Sequence, residues 1–180
     1  MPQETLEYSS TVSTAWASDI AKVEDDDGVF AVADTLNQMA TIQLGDLTNN
    51  DIGSVNSITI YASALIFPAK RVARLAVYIQ NSSGTTLTQG VMDVNSSTEA
   101  LFNTGALTFS GISESSINDM QILLRYLADS DPGGTTDLSV DYLYAVVDYD
   151  IPLPPPYNNN RNRLHIANGR IDLTSGRLSI

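Results

Sequence analysis

The sequence predicts an all-β protein: an antiparallel β-sandwich of roughly eight strands with an extended C-terminal arm. Three observations predict it. Runs rich in β-branched and aromatic residues recur at short, regular spacing, with Gly, Ser, Asn and Thr between them. The gaps are too short for the crossover helices that a parallel sheet requires. A proline run near the C-terminus then separates an acidic body from a basic tail.

Residues 1–14, with Glu4 and Glu7 among small polar residues, read as an N-terminal segment or arm, and residues 15–150 as the sandwich body. Val12 to Ala21 is compatible with one or two helical turns, with Trp16 capping one end of the sandwich. Ser57 to Phe67 is the first long strand, and Arg71 to Ile79 the second. Alternation in the second breaks near Ala73 and Arg74, which predicts a bulge there. Asn81 to Thr86 is a turn by composition, followed by shorter strands at Leu87 to Val94 and Ala100 to Phe109. Ser113 to Asp119 resembles a single capped helical turn. Gln121 to Leu127 and Leu138 to Tyr149 complete the set, with Asp129 to Thr136 read as a hairpin connection between them. Aspartates on both parities of the last run predict a buried centre and exposed ends.

The chain has 180 residues, no Cys, and 9 Lys and Arg against 21 Asp and Glu, a formal net charge of −12. Without Cys there is neither a disulfide scaffold nor a Cys-based zinc site. The acidity argues against nucleic acid as a partner. No apolar run is long enough to predict a membrane span, and the opening residues, MPQETLEYSS, lack the features of a secretory signal. Residues 1–150 hold five basic residues against twenty acids, a balance of −15, whereas 151–180 hold four arginines against Asp172, a balance of +3. Between them lies a proline-rich spacer, 151–157, that favours an extended path into the basic arm, 158–180.

No catalytic constellation stands out, and the chain is not expected to be an enzyme or to need a cofactor. The single histidine, His165, sits in the arm, where an oriented imidazole is hard to build, and reads as a contact residue. Asp25 to Gly28 and the pair Asp129 and Asp131 are dense in carboxylates but lack the oxygen ladder of a calcium loop, so they read as solvated or turn-capping acids. Gly133 and Gly134 lack the strand-to-helix setting of a phosphate loop and read as a turn. A carbohydrate- or receptor-binding sandwich would require an exposed aromatic cluster, and the tyrosines of 142–149 lie within a strand. A glycan hydrolase would require two convergent carboxylates, which no spacing indicates.

The arm carries its own pattern. Gly169 to Leu173 and Gly176 to Ile180 repeat Gly-Arg-apolar-polar-apolar at a seven-residue offset. Segments this short cannot form a core, so they are expected to pair with a sheet edge, preferably that of another subunit. The expected partner-binding residues are Tyr157, Arg161, Arg163, His165, Arg170, Ile171, Leu173, Arg177, Leu178 and Ile180.

The body resembles a class of small all-β proteins of tailed-bacteriophage virion gene clusters. The resemblance rests on Ala15-Trp16-Ala17, on Asp26 to Ala33, on Val55 to Ile60, and above all on the closing run Leu138 to Tyr149. Ser57 departs from it, standing where a glycine is usual before the second isoleucine. It implies a jelly-roll-like sandwich used as a virion accessory part, assembled in the host bacterial cytoplasm. Capsid decoration (cement or head fibre) ranks first, and a tail, collar or baseplate module second. The partners implied are the major capsid protein or tail and neck components, in a homo-oligomer. The shared motifs are framework and transfer no catalytic residue.

Overall fold

The computed structural model describes residues 2–48, 52–67, 72–108, 114–127 and 137–152, with backbone alone at 114–115, 164–167 and 170–173. The elements are β1 (Gln3–Thr14), a 3-10 turn (Ile20–Val23), β2 (Ala31–Ala33), β3 (Met39–Leu44), β4 (Ser54–Phe67), β5 (Ala73–Gln80) and β6 (Thr86–Val94). They continue as β7 (Ala100–Asn103), β8 (Leu107–Thr108), α1 (Glu114–Asn118), β9 (Gln121–Leu127), β10 (Asp137–Asp150), β11 (Leu164–Ala167) and β12 (Arg170–Leu173). Ten strands pair antiparallel in the order β6-β5-β9-β3-β1-β10-β4-β7, with β2 added to β10 and β8 to β4. The result is a jelly-roll-like β-sandwich. One layer holds β10, β4, β7, β8 and β2, and the other holds β3, β9, β5 and β6.

β1 links the layers. Gln3 to Glu7 pair with β10, and Tyr8 to Thr14 pair with β3, with register shifts between Tyr8 and Ser10 and between Thr11 and Ser13. Residues 3–14, part of the segment or arm expected at 1–14, therefore run inside the sheet network. Only Leu6 of this strand is buried. Hydrogen bonding to two neighbours holds it, and the hydrophobic alternation by which strands are recognised is missing.

The core fills from both inner faces: Ile58, Ile60, Ala62, Ala64 and Ile66 of β4 against Leu75, Val77 and Ile79 of β5 and Ile122 and Leu124 of β9. Trp16 is buried in the same cluster, with Ile20 and Val23 of the 3-10 turn. Asp19 caps that turn, its carboxylate accepting from the Ala21 N–H at 3.0 Å.

Three local expectations need correction. The second long strand has no bulge at Ala73 and Arg74; its register with β6 shifts between Ile79 and Gln80. The apparent break comes from Val72, an apolar residue on the opposite parity that lies just before β5 and is only half-buried, while Ala73, Leu75, Val77 and Ile79 bury one unbroken face. Ala100 to Phe109 is two strands within its described part, divided where Gly105 adopts φ 69° and donates its N–H to the Asn103 side chain at 2.9 Å. β9 and β10 do not form a hairpin, since β9 lies between β3 and β5 while β10 lies in the other layer. Their connection, 128–136, falls outside the described residues, as do the Asp129–Asp131 and Gly133–Gly134 readings.

The arm also differs from expectation. β11 and β12 pair with each other, from Leu164 opposite Leu173 to Ala167 opposite Arg170. Tyr157, Arg161, Arg163, Arg177, Leu178 and Ile180 lie outside the described residues.

On the side away from β1, β6 approaches the β7–β8 connection at Gly90. A Cβ there would meet Leu107 Cδ2 at 2.9 Å and Thr104 Cβ at 3.0 Å. Gly90→Ala should therefore destabilise the fold by about 1–2 kcal/mol, read as a lower denaturation midpoint with an unchanged m-value.

Candidate functional site

The site begins with a bulge. On β10, Val140 pairs with Ala64 and Tyr142 with Ser63, so Asp141 is an extra residue with no partner on β4. The insertion switches the strand's parity. Leu138 and Val140 are buried before it, and Leu143, Ala145, Val147 and Tyr149 after it. Tyr142, Tyr144, Val146 and Asp148 are thereby left on the outer face. Asp141, expected at an exposed strand end, is fully buried.

Burial of this carboxylate is offset by two backbone donors. The Gly28 N–H donates to Oδ2 at 2.9 Å, and the Val29 N–H to Oδ1 at 3.0 Å. Gly28 has φ 78°, a conformation that glycine adopts without strain. The Val29 N–H also reaches the Asp27 carboxylate at 2.9 Å. The acidic run is thus a clamp on β10, and its carboxylates are not all merely solvated.

Asp26 of that run meets two acids that spacing could not associate with it: carboxylate oxygens of Asp26, Glu99 and Asp141 lie within 4.8 Å of one another. Glu99 accepts a short hydrogen bond from the Ser63 hydroxyl, which lowers its pKa. Desolvation, a hydrogen bond with Asp141 and repulsion from Asp141 and Asp26 act the other way, and the net direction is upward. These three residues could hold a hard cation such as calcium, whose charge would relieve that repulsion.

Beside the acids lies a tyrosine row. Across four neighbouring strands, Glu7 of β1, Tyr144 of β10, Tyr61 of β4 and Asn103 of β7 are successive cross-strand partners. The rings of Tyr61 and Tyr144 stack with centroids 4.9 Å apart and planes within 5°. Tyr142 leans on Tyr144 at 5.2 Å and 32°. The Tyr142 hydroxyl donates to Glu7 Oε1 at 2.9 Å. Burial, then this hydrogen bond and the Glu7 charge, push the Tyr142 phenol up to about 12. Burial and then Tyr61 raise Tyr144 as well.

The residues proposed from sequence are elsewhere: His165, Arg170, Ile171 and Leu173 lie on the arm hairpin. Tyr61, Glu7 and Glu99 were missed. A usable signal was present, because Tyr142 and Tyr144 share a parity, and Tyr61 sits opposite the core parity of Ile58, Ile60 and Ala62.

No protein-family model matches the chain, and no curated protein matches it. Solved structures give distant likenesses. The CBM36-1 domain of a multidomain xylanase from the hindgut metagenome of Trinervitermes trinervoides is 14% identical, with a TM-score of 0.47 over 82% of this chain and 97% of that one. A carbohydrate-binding module CBM36 in complex with calcium and xylotriose is 15% identical, with a TM-score of 0.45 over 83% and 100%. A chain of infectious bursal disease virus, Gt strain, is 12% identical, with a TM-score of 0.31 over 82% and 33%. At these values the likenesses add nothing to the functional reading.

Removing the clamp should be costly. Asp141→Ala strips the Gly28 N–H of its acceptor and is expected to destabilise the fold by about 3 kcal/mol in denaturant titration, with Asp141→Asn intermediate. The phenol gives a pH test. Because Tyr142 is raised from 10.0 to about 12, its contribution to stability is fully present below pH 10 and is lost as pH rises through about 12. Ultraviolet difference titration should show a late-ionising tyrosine that disappears in Tyr142→Phe.

Proposed function

We propose that this chain is a non-catalytic, carbohydrate-binding β-sandwich, with the outer face around the β10 bulge as its ligand face. The observation that carries this reading is the row Glu7, Tyr144, Tyr61 and Asn103, with Tyr142 packed at its side. A pyranose offers apolar C–H surface ringed by hydroxyls. Aromatic side chains complement the first, and carboxylate and amide groups the second. Half-buried tyrosines held by stacking and by the Glu7 hydrogen bond are ordered before a ligand arrives, which limits the entropy lost on binding.

The same geometry favours binding over hydrolysis. A glycosidase needs a carboxylate able to attack or to activate water. Asp141 is fully buried, and each of its oxygens accepts a backbone N–H.

A second reading, a structural part of a tailed-phage virion, is favoured by the basic arm beyond the proline spacer, opposite in sign to the body. Capsid decoration comes first in it and a tail, collar or baseplate module second. Its partners are the major capsid protein or tail and neck components, and further copies of this chain. An arm that anchors and a face that binds are separate surfaces, so one protein can carry both.

Isothermal titration calorimetry against a panel of soluble neutral and acidic polysaccharides, with and without calcium, tests the first reading. At least one should bind, and Tyr144→Ala and Tyr61→Ala should each weaken it by about tenfold, near the energy of one aromatic contact. Binding unchanged by both substitutions, or no binding across the panel, would reject it.

A further inference from the structure

The register of β11 and β12 makes the arm hairpin two-faced. Leu164 pairs with Leu173 and Ile166 with Ile171, so these four residues share one face; His165, Ala167, Arg170 and Asp172 share the other. A two-stranded hairpin of this length is marginal alone and requires a surface to cover its apolar face.

The body offers such a surface on the same outer layer, beyond the tyrosine row. Leu65 and Phe67 lie on the outer parity of β4, and Leu101 of β7 pairs with the neighbouring Ser63. Phe67 is 70% exposed and Leu101 56%. Acids rim the patch: Asp137 pairs with Phe67, and Glu99 reaches Ser63. An apolar patch with an acidic rim is the complement of an apolar hairpin carrying Arg170 and flanked by Arg161, Arg163 and Arg177.

We propose that the C-terminal hairpin of one copy docks on the Leu65, Phe67 and Leu101 patch of a second copy.

Geometry favours the second copy over the chain's own patch. Phe67 lies beside Asp137, at one end of β10, whereas the chain leaves the body after Asp150, at the other. Thirteen strand steps separate those ends by about 43 Å. The fourteen steps from Asp150 to Leu164 span at most about 50 Å when fully extended. Leu101, through Ser63 and Tyr142, is only eight steps from Asp150, so the linker can reach the chain's own patch in length, but only by reversing direction early, in a segment whose four prolines favour an extended path. A neighbouring copy imposes no such path. The inference does not depend on what the tyrosine row binds.

Two full-length variants test it by sedimentation velocity: Phe67→Asp, which spoils the patch, and Ile171→Asp, which spoils the hairpin. The unaltered chain should self-associate, at least tenfold more weakly in high salt. Each variant alone should be monomeric with an unchanged thermal midpoint. An equimolar mixture should regain dimers, because the intact hairpin of one fits the intact patch of the other. A monomeric unaltered chain, a variant that associates as before, or a mixture that stays monomeric would overturn the proposal, the last by placing the contact within one chain.

Discussion

The wholly buried carboxylate of Asp141 sits where β10 takes one residue more than β4, and the backbone N–H groups of Gly28 and Val29 close on it. One inserted residue reverses the facing of every side chain after it. Without the insertion, Tyr142, Tyr144, Val146 and Asp148 would turn toward the core, and Leu143, Ala145 and Val147 toward solvent. A charged group so deep is tolerated because its acceptors are filled. The clamp also brings the acidic loop to the sheet and delivers Asp26 to Glu99. The outer face and the inner packing thus share a single origin.

β1 provides the complementary constraint. It pairs with β10 in its first half and with β3 in its second, and so carries the hydrogen-bond network from one layer to the other. Its transfer falls immediately after Glu7, the residue that receives the Tyr142 hydroxyl and stands beside Tyr144. β2 takes up β10 farther along, from Leu138 to Val140, which leaves the bulge between the two pairings open to the acidic loop. Gly90 lets β6 close against the β7–β8 connection on the opposite side. Both joints rest on backbone pairing or on the lack of a side chain, which a hydrophobic pattern does not record.

That difference separates what was legible from what was not. The long strands β4, β5 and β10 carry enough β-branched and aromatic residues to be read directly, and the all-β class follows from them. β1 has one buried residue, and β3 is short, so neither announces itself. The bulge expected in β5 reflects Val72, which precedes the strand on the opposite parity; at Asp141 a charged residue inside the strand looks like a strand end. The candidate site was less legible than the fold. Glu7, Tyr61, Glu99 and Asp141 come from four separate segments, and only strand order makes them neighbours. The arm is a further case: its Gly-Arg repeats suggest two equivalent segments for a sheet edge, whereas Leu164–Ala167 and Arg170–Leu173 pair with each other.

A sandwich with a preorganised tyrosine and carboxylate face at the bulge is built for contact. The proposed carbohydrate face is the outer surface around Tyr61, Tyr142 and Tyr144. Backbone amide NMR of the full chain, titrated with the polysaccharide panel, tests it most directly. Shifts should concentrate at Glu7, Tyr61, Asn103, Tyr142 and Tyr144, with the outer face of β5 and β9 unaffected. Shifts centred on another surface, or none with any polysaccharide, would contradict it.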